Sequence, residues 1–293
     1  MLISLEHRFI FIANLKTAST SIEAALQPFA QVRMLTTEWG KHQSLKHTEL
    51  NYHHIFRIIP RQEFRVFAVI RDPMEWLGSL YRAHMAPYFQ GTIKDTSSYS
   101  FPDFLVHWCP FYPEQMVPQT ARLTDQHGQF AADFVINYHR LQEDFGAVCD
   151  MLGLPRITLR IENKSVDIHR DLPVDGMTKA TIERIYRADY DLLARFTGRI
   201  LSEQERRELS GEAETASPEF ASPGRSSYWD AEPREVTRAE VIWAYRMLLG
   251  REPGSEDEIR HQMADRSRRD LRESFLASRE FRERILGLAA PTP

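Results

Sequence analysis

One pattern occurs twice in this chain and restricts its fold more than any other: an apolar run that passes through a polar turn directly into a helical repeat. The first copy is Phe9 to Leu26, FIFIANLKTASTSIEAAL, and the second is Arg65 to Arg82, RVFAVIRDPMEWLGSLYR. The apolar runs, Arg8 to Ala13 and Val66 to Ile70, are continuous rather than alternating, which marks strands covered on both faces. Such strands sit in parallel sheets, where a helix carries the chain back to the next strand. Both turns therefore fall at the carboxyl ends of strands, where open α/β sheets bind ligands.

The first turn holds Lys16, Thr17, Ala18, Ser19, Thr20 and Ser21, and helical spacing resumes at Ile22, Ala25 and Leu26. Small residues let backbone N–H groups approach an anion, and a helix start adds unpaired donors and roughly half a positive charge. Lys16 adds a full charge and the hydroxyls add donors. The plainer reading is a hydroxyl-rich helix cap. The loop is not a nucleotide-binding Walker A motif, because that motif needs glycines and a lysine at its end; here the lysine comes first and glycine is absent.

In the second turn Asp72 suits an N-cap, Pro73 the first helical position, and Glu75 a capping box. Leu77, Leu80, Tyr81 and His84 form the helical stripe that follows. Arg71 stands at the strand end, and Ser79 lies two helical turns beyond Asp72 on the same face. Arg71 and Ser79 so placed can grip a second phosphate, the arginine through fork-like hydrogen bonds. The plainer reading is an Arg–Asp surface pair and a small packing serine.

Taken together, these residues resemble the sulfotransferases that use 3′-phosphoadenosine 5′-phosphosulfate. The K-T-A-S-T-S loop is similar to that family's 5′-phosphosulfate loop, and Arg71 to Tyr81, R-D-P-x-E-x-x-x-S-x-Y, is similar to its 3′-phosphate segment. Further stretches resemble the carbohydrate-sulfotransferase branch: Gly40-Lys41-His42 with Ser44; Gln119, Leu123, Asp125 and Gly128; Asp133 to Leu154; and the turn Asn163-Lys164-Ser165. The resemblance implies a P-loop-like, three-layer, doubly wound parallel sheet. It implies cofactor contacts from Lys16, Thr17, Ala18, Ser19, Thr20, Ser21, Arg71, Ser79 and Lys164. It also implies transfer of a sulfonate group to a hydroxyl, with adenosine 3′,5′-bisphosphate leaving and no metal required.

On that reading Lys16 stabilises the leaving oxygen and His42 is the first choice of base, since it fills the G-K-H position and histidine titrates near neutral pH. His47, His53, His54 and Glu49 are the other candidates. The histidine spacings match no common zinc pattern. Two alternatives stand beside the enzyme reading: an ATP-dependent kinase using the same anion loop, and a non-catalytic glycan-associated scaffold.

The net charge of −4 speaks against a dedicated nucleic-acid binder. The two cysteines, Cys109 and Cys149, lack metal-like spacing and read as reduced thiols. With no signal-like start and no long apolar span, a soluble, cytoplasmic, bacterial protein is the expectation. The acceptor is expected to be a hydroxyl-bearing glycan.

Residues 1–208 read as one α/β unit, with Phe134–Ile136 as a third strand. Leu141, Phe145, Val148 and Leu152 form a helix stopped by Gly153 and Pro155. Ile182, Ile185, Tyr186, Leu193 and Phe196 outline one amphipathic helix. The polar stretch Tyr88 to Ser98 reads as a flap near the acceptor. Residues 209–235, rich in Ser, Pro, Glu and Ala, read as a linker. Residues 236–293 read as a small all-helical module. Its strings AYRMLLGREPGSEDE and SFLASREF resemble a helical domain of unassigned function that is often appended to bacterial proteins acting on surface glycans. The module is short enough that docking or self-association is expected.

Overall fold

The computed structural model describes residues 1–36, 40–92, 94–109, 112, 115–160 and 172–215, and then 236, 238–245, 249, 251–263, 271, 274–275, 278–280 and 283. Its centre is a five-stranded sheet in the order β3-β1-β2-β4-β5. The strands are β1 (Leu2–Ser4), β2 (Phe9–Ile12), β3 (Val32–Arg33), β4 (Arg65–Ile70) and β5 (Phe134–Asn137). The three expected strands pair in parallel: Phe9 lies opposite Arg65, Ile12 opposite Ala68, Phe67 opposite Phe134, and Ile70 opposite Asn137.

The sheet is not parallel throughout, which corrects the expectation of a purely parallel sheet. β1 pairs antiparallel with β2, and β3 antiparallel with β1. The tight turn Leu5–Arg8, with Arg8 at φ 51°, joins β1 to β2 and allows only a hairpin. The two added strands are too short to carry a readable period.

Side chains of the three parallel strands alternate between two cores. Ile10, Ile12, Val66, Ala68, Ile70 and Val135 face one side. Phe9, Phe11, Phe67, Val69, Phe134 and Ile136 face the other. Helices α1 (Ser19–Leu26) and α6 (Leu141–Leu152) cover the second side through Ile22, Leu26, Phe145, Val148 and Leu152. Helices α2 (Leu45–Asn51) and α3 (His53–Ile58) cover the first through Leu45 and Ile55. An eight-residue helix such as α1 is too short to persist alone. Burial of Ile22 and Leu26, roughly 1.5–3 kcal/mol each, is what holds it. α6 ends as expected at Gly153, which is left-handed with φ 65°.

A third core surrounds α4 (Pro73–Ala83), whose Trp76, Leu77, Leu80 and Tyr81 meet Phe101 of the short α5 (Phe101–Asp103) and Phe104 and Trp108 beyond it. The stripe from Ile182 to Phe196 forms two helices rather than one, α7 (Gly176–Ile185) and α8 (Arg187–Arg195). They divide at Tyr186 because their apolar residues serve different cores. Ile182 and Tyr186 join the third core, whereas Leu192 and Phe196 join the first. Within the stretch read as a flap, Tyr88 is 74 % exposed. Thr96 is fully buried and pins the segment, its hydroxyl donating to the Tyr81 carbonyl at 2.7 Å.

Helix α9 (Glu203–Thr215) continues past residue 208 into the stretch read as a linker, with Leu209 and Ser210 buried; residues 216–235 lie outside the described residues. Helices α10 (Arg238–Ala244) and α11 (Glu256–Met263) follow. Val236, Val241, Tyr245, Leu249, Ile259, Leu271 and Phe275 belong to the same apolar cluster as Leu192, Phe196, Leu201 and Leu209. Leu248, Leu276 and Phe281, expected on the helical stripes of this region, lie outside the described residues. No helix among the described residues is long and apolar enough to cross a membrane.

Candidate functional site

The parallel register brings the two polar turns together. β2 and β4 are neighbours, so their carboxyl ends open on the same edge of the sheet. Asn14 Nδ2 donates to the Val69 carbonyl at 3.1 Å, and Trp76 Nε1 donates to the Leu15 carbonyl at 2.9 Å. The loop after β2 is thus tied both to the adjacent strand and to the first turn of α4.

The loop itself is bent by two non-glycine residues in the left-handed region, Lys16 at φ 55° and Ala18 at φ 57°, with Thr17 between them. Each such residue costs roughly 1–2 kcal/mol, and alternation of this kind turns successive N–H groups into a concave anion nest. Ala18 is the N-cap of α1 and gives no side-chain cap. Among the described residues the amides of Ser19 and Thr20 have no acceptor. Thr17 is buried and spends its hydroxyl inside the loop, donating to the Asn14 carbonyl at 3.0 Å. Ser19 and Ser21 are also buried, and Thr20 is half-buried.

The second turn is built differently. Asp72 Oδ1 accepts from the amides of Met74 and Glu75 at 2.9 and 3.1 Å, which closes the N-terminus of α4. The expected capping box does not complete. Glu75 instead bonds Arg71 Nε at 3.2 Å and His139 Nε2 at 3.0 Å. Arg71 thus pairs with Glu75, four residues on, and not with Asp72. Its guanidinium carbon lies 4.2 Å from the centre of the Tyr138 ring. Its backbone is fixed by Gln119, which accepts from the Arg71 amide at 3.0 Å and donates to the Arg71 carbonyl at 2.8 Å. Asp189, fully buried, holds Gln119 in turn by accepting from its amide at 2.9 Å and from the Thr120 amide and hydroxyl. Burial raises the Asp189 pKa, and those three contacts, with the Gln119 side-chain Nε2 at 3.5 Å, oppose the rise. Ser79 lies buried on α4, and its hydroxyl has no hydrogen bond to a described residue.

Three cations meet at this edge. Burial, then the neighbouring charges of Arg71 and Lys41, lower the pKa of the Lys16 ammonium. Lys41 pairs with Glu23 on α1 at 2.8 Å, a carboxylate it shares with the Met1 amino group at 2.7 Å, and also donates to Thr20 Oγ1 at 3.2 Å. Arg71 has Glu75. Among the described residues Lys16 has no carboxylate partner. A half-buried cation beside two others is costly unless an anion joins it.

His42 follows Lys41 into the same corner. Its Nδ1 lies 2.7 Å from the Ala13 carbonyl, which can only accept, so Nδ1 carries the proton and Nε2 the free lone pair. Burial lowers the His42 pKa to about 3, against the bond to Ala13, so the ring is neutral near pH 7. Arg122 Nη1 donates to the His42 carbonyl at 2.8 Å and fixes the backbone there. The other candidate bases stand elsewhere. Glu49 pairs with Arg61 at 3.0 Å and accepts from the Gln126 amide. His47 sits exposed against Ser44, and His53 lies against His54 with ring centres 3.8 Å apart and the rings tilted by 40°. Lys164 lies outside the described residues.

Sequence reading missed Glu23, Glu75 as a partner of Arg71, Arg122, and the pair Tyr138 and His139. The last two were findable: they directly follow the third apolar run, so the strand-end rule that selected Lys16 and Arg71 also reaches them. Comparison with family models, with curated proteins and with solved structures gives no match.

Proposed function

We propose that this chain is a sulfotransferase with a P-loop-like core, moving a sulfonate group from 3′-phosphoadenosine 5′-phosphosulfate to a hydroxyl of a glycan or glycoconjugate. The observation that carries the reading is Lys16, which has no carboxylate partner among the described residues. It sits at the uncapped start of α1 and within electrostatic reach of Arg71, so the corner has donors and charge for an anion at each of two separated points. A donor with a phosphosulfate at one end and a phosphate at the other matches that spacing of chemistry.

The nest at Lys16 to Thr20 would hold the phosphosulfate, and Arg71 the 3′-phosphate. Bound there, the donor supplies an activated sulfonate, whose bond to the bridging phosphate oxygen breaks as the acceptor oxygen bonds to sulfur. Lys16 neutralises the charge left on that bridging oxygen; one such donor commonly contributes about 10²–10³ in rate. His42 Nε2 accepts the proton of the acceptor hydroxyl, a role worth about 10²–10⁴. An anion beside His42 raises its pKa, which makes the ring a better base when donor is bound.

Calorimetric titration with adenosine 3′,5′-bisphosphate, run against ATP with magnesium, tests this directly. Binding of the bisphosphate, with sulfur-labelled donor passing label to a polysaccharide panel, is the expected result. Binding of ATP–magnesium alone would replace this reading with a kinase.

A further inference from the structure

The strand register places more at the Arg71 turn than a single arginine. Because Ile70 lies opposite Asn137, Arg71 and Tyr138 leave their strands at the same level. Tyr138 supplies a ring face to the guanidinium at 4.2 Å, and Glu75 supplies an acceptor to its Nε at 3.2 Å. The other Glu75 oxygen is held by His139 Nε2 at 3.0 Å, so both carboxylate oxygens are engaged. Gln119 clamps the Arg71 backbone from both sides. What is left is the terminal edge of the guanidinium: Nη1 and Nη2 have no partner among the described residues, and the side chain is only 16 % exposed. A lone Arg–Glu pair is worth little when exposed. This one is part of a three-sided cage that leaves one bidentate edge open, the edge that matches a phosphate.

We infer that Glu75, Tyr138 and His139 are positioning residues that aim the terminal edge of Arg71 at a phosphate monoester. They thereby set the preference for an adenosine carrying a 3′-phosphate over one without it. The inference rests on the sulfonate-donor reading above and adds three residues to it. Glu75 bonds Nε and not the terminal nitrogens, so it orients the fork without occupying it. Freeing the side chain restores rotamers that binding must then freeze out, which weakens the bisphosphate contact by about three- to tenfold.

The test is the ratio of affinities for adenosine 3′,5′-bisphosphate and adenosine 5′-monophosphate, measured by calorimetry on the full chain. In Glu75→Ala and Tyr138→Leu the ratio falls about three- to tenfold while affinity for the monophosphate holds, which also reports an intact fold. Glu75→Gln keeps an acceptor for Nε and retains most of the ratio. His139→Ala, one contact further out, has the smallest effect. An unchanged ratio in Glu75→Ala, or tighter bisphosphate binding in it, overturns the inference, the latter by making Glu75 a competitor for Arg71. A wild-type ratio near one overturns the sulfonate-donor reading itself, and that result is read before any variant is made.

Discussion

The two polar turns occupy equivalent positions, one at the end of β2 and one at the end of β4, yet they offer opposite things to a ligand. At the first, the helix start has no side-chain cap and two non-glycine residues hold a left-handed bend, so the amides of Ser19 and Thr20 are left without an acceptor among the described residues. At the second, the Asp72 carboxylate takes the Met74 and Glu75 amides of α4, so the backbone is closed and Arg71 offers its side chain instead. An open helix start suits a group that needs many converging donors, such as a phosphosulfate in transfer. A capped start with a braced guanidinium suits a group that is only held. On the proposed reading, the pair would divide one ligand into a reacting end and an anchored end.

That division is broken most directly by Lys16→Ala. Sulfonate transfer should fall by about 10²–10³ with a smaller loss of bisphosphate affinity. Arg71→Ala should do the reverse, costing about 10- to 100-fold in bisphosphate affinity from a charge-assisted contact of roughly 1.5–3 kcal/mol. Comparable effects of both variants on rate and on affinity would erase the distinction between the two ends.

Acid sharpens the comparison next, since neutral histidines stand near the reacting end. Burial holds His42 at about 3 and His84 at about 4, both below the ordinary value of 6.5. The unfolded chain therefore binds protons that the folded chain refuses between pH 6.5 and those values. The stability these two groups contribute is complete above pH 6.5 and is lost as pH falls towards 4 and then 3. Melting temperature measured from pH 7.5 down to 4 should drop accordingly. Adenosine 3′,5′-bisphosphate should flatten the drop, because its charge raises the His42 pKa in the folded state. A flat profile without ligand would remove His42 from the buried corner.

Much of this corner was legible because buried parallel strands need uninterrupted apolar runs, and such runs end where ligands bind. Phe9–Ile12, Arg65–Ile70 and Phe134–Asn137 declared themselves in that way. β1 and β3 did not, since strands of three and two residues have no period to read. The Asp72 cap was legible because capping is local in sequence. The Glu75 pairing was not, because Glu75 fits a capping box equally well and only the arrival of His139 from β5 decides between them. The Glu23 partner of Lys41 was hidden for the same reason: eighteen residues separate them, with nothing local to link them. The split of α7 from α8 depends on which core each half meets, which no helical stripe reveals.

The smallest effects test whether the open and closed helix starts are real alternatives. Asp72→Ala removes two capping bonds and should cost about 1 kcal/mol of stability, with little change in affinity for adenosine 5′-monophosphate. Ala18→Gly acts on the other helix start. Alanine at φ 57° carries roughly 1–2 kcal/mol of left-handed strain, and glycine removes it. Glycine also gives the unfolded chain more freedom, worth about 0.4–1 kcal/mol in the opposite direction. The strain term is the larger, so chemical denaturation should find Ala18→Gly more stable than the parent by about 0.5–1 kcal/mol. The freed loop should bind bisphosphate less tightly, because a nest that is no longer held in one bend must be ordered on binding. A variant that is less stable would mean that Ala18 is not held in the left-handed region, and the backbone nest at the reacting end would go with it.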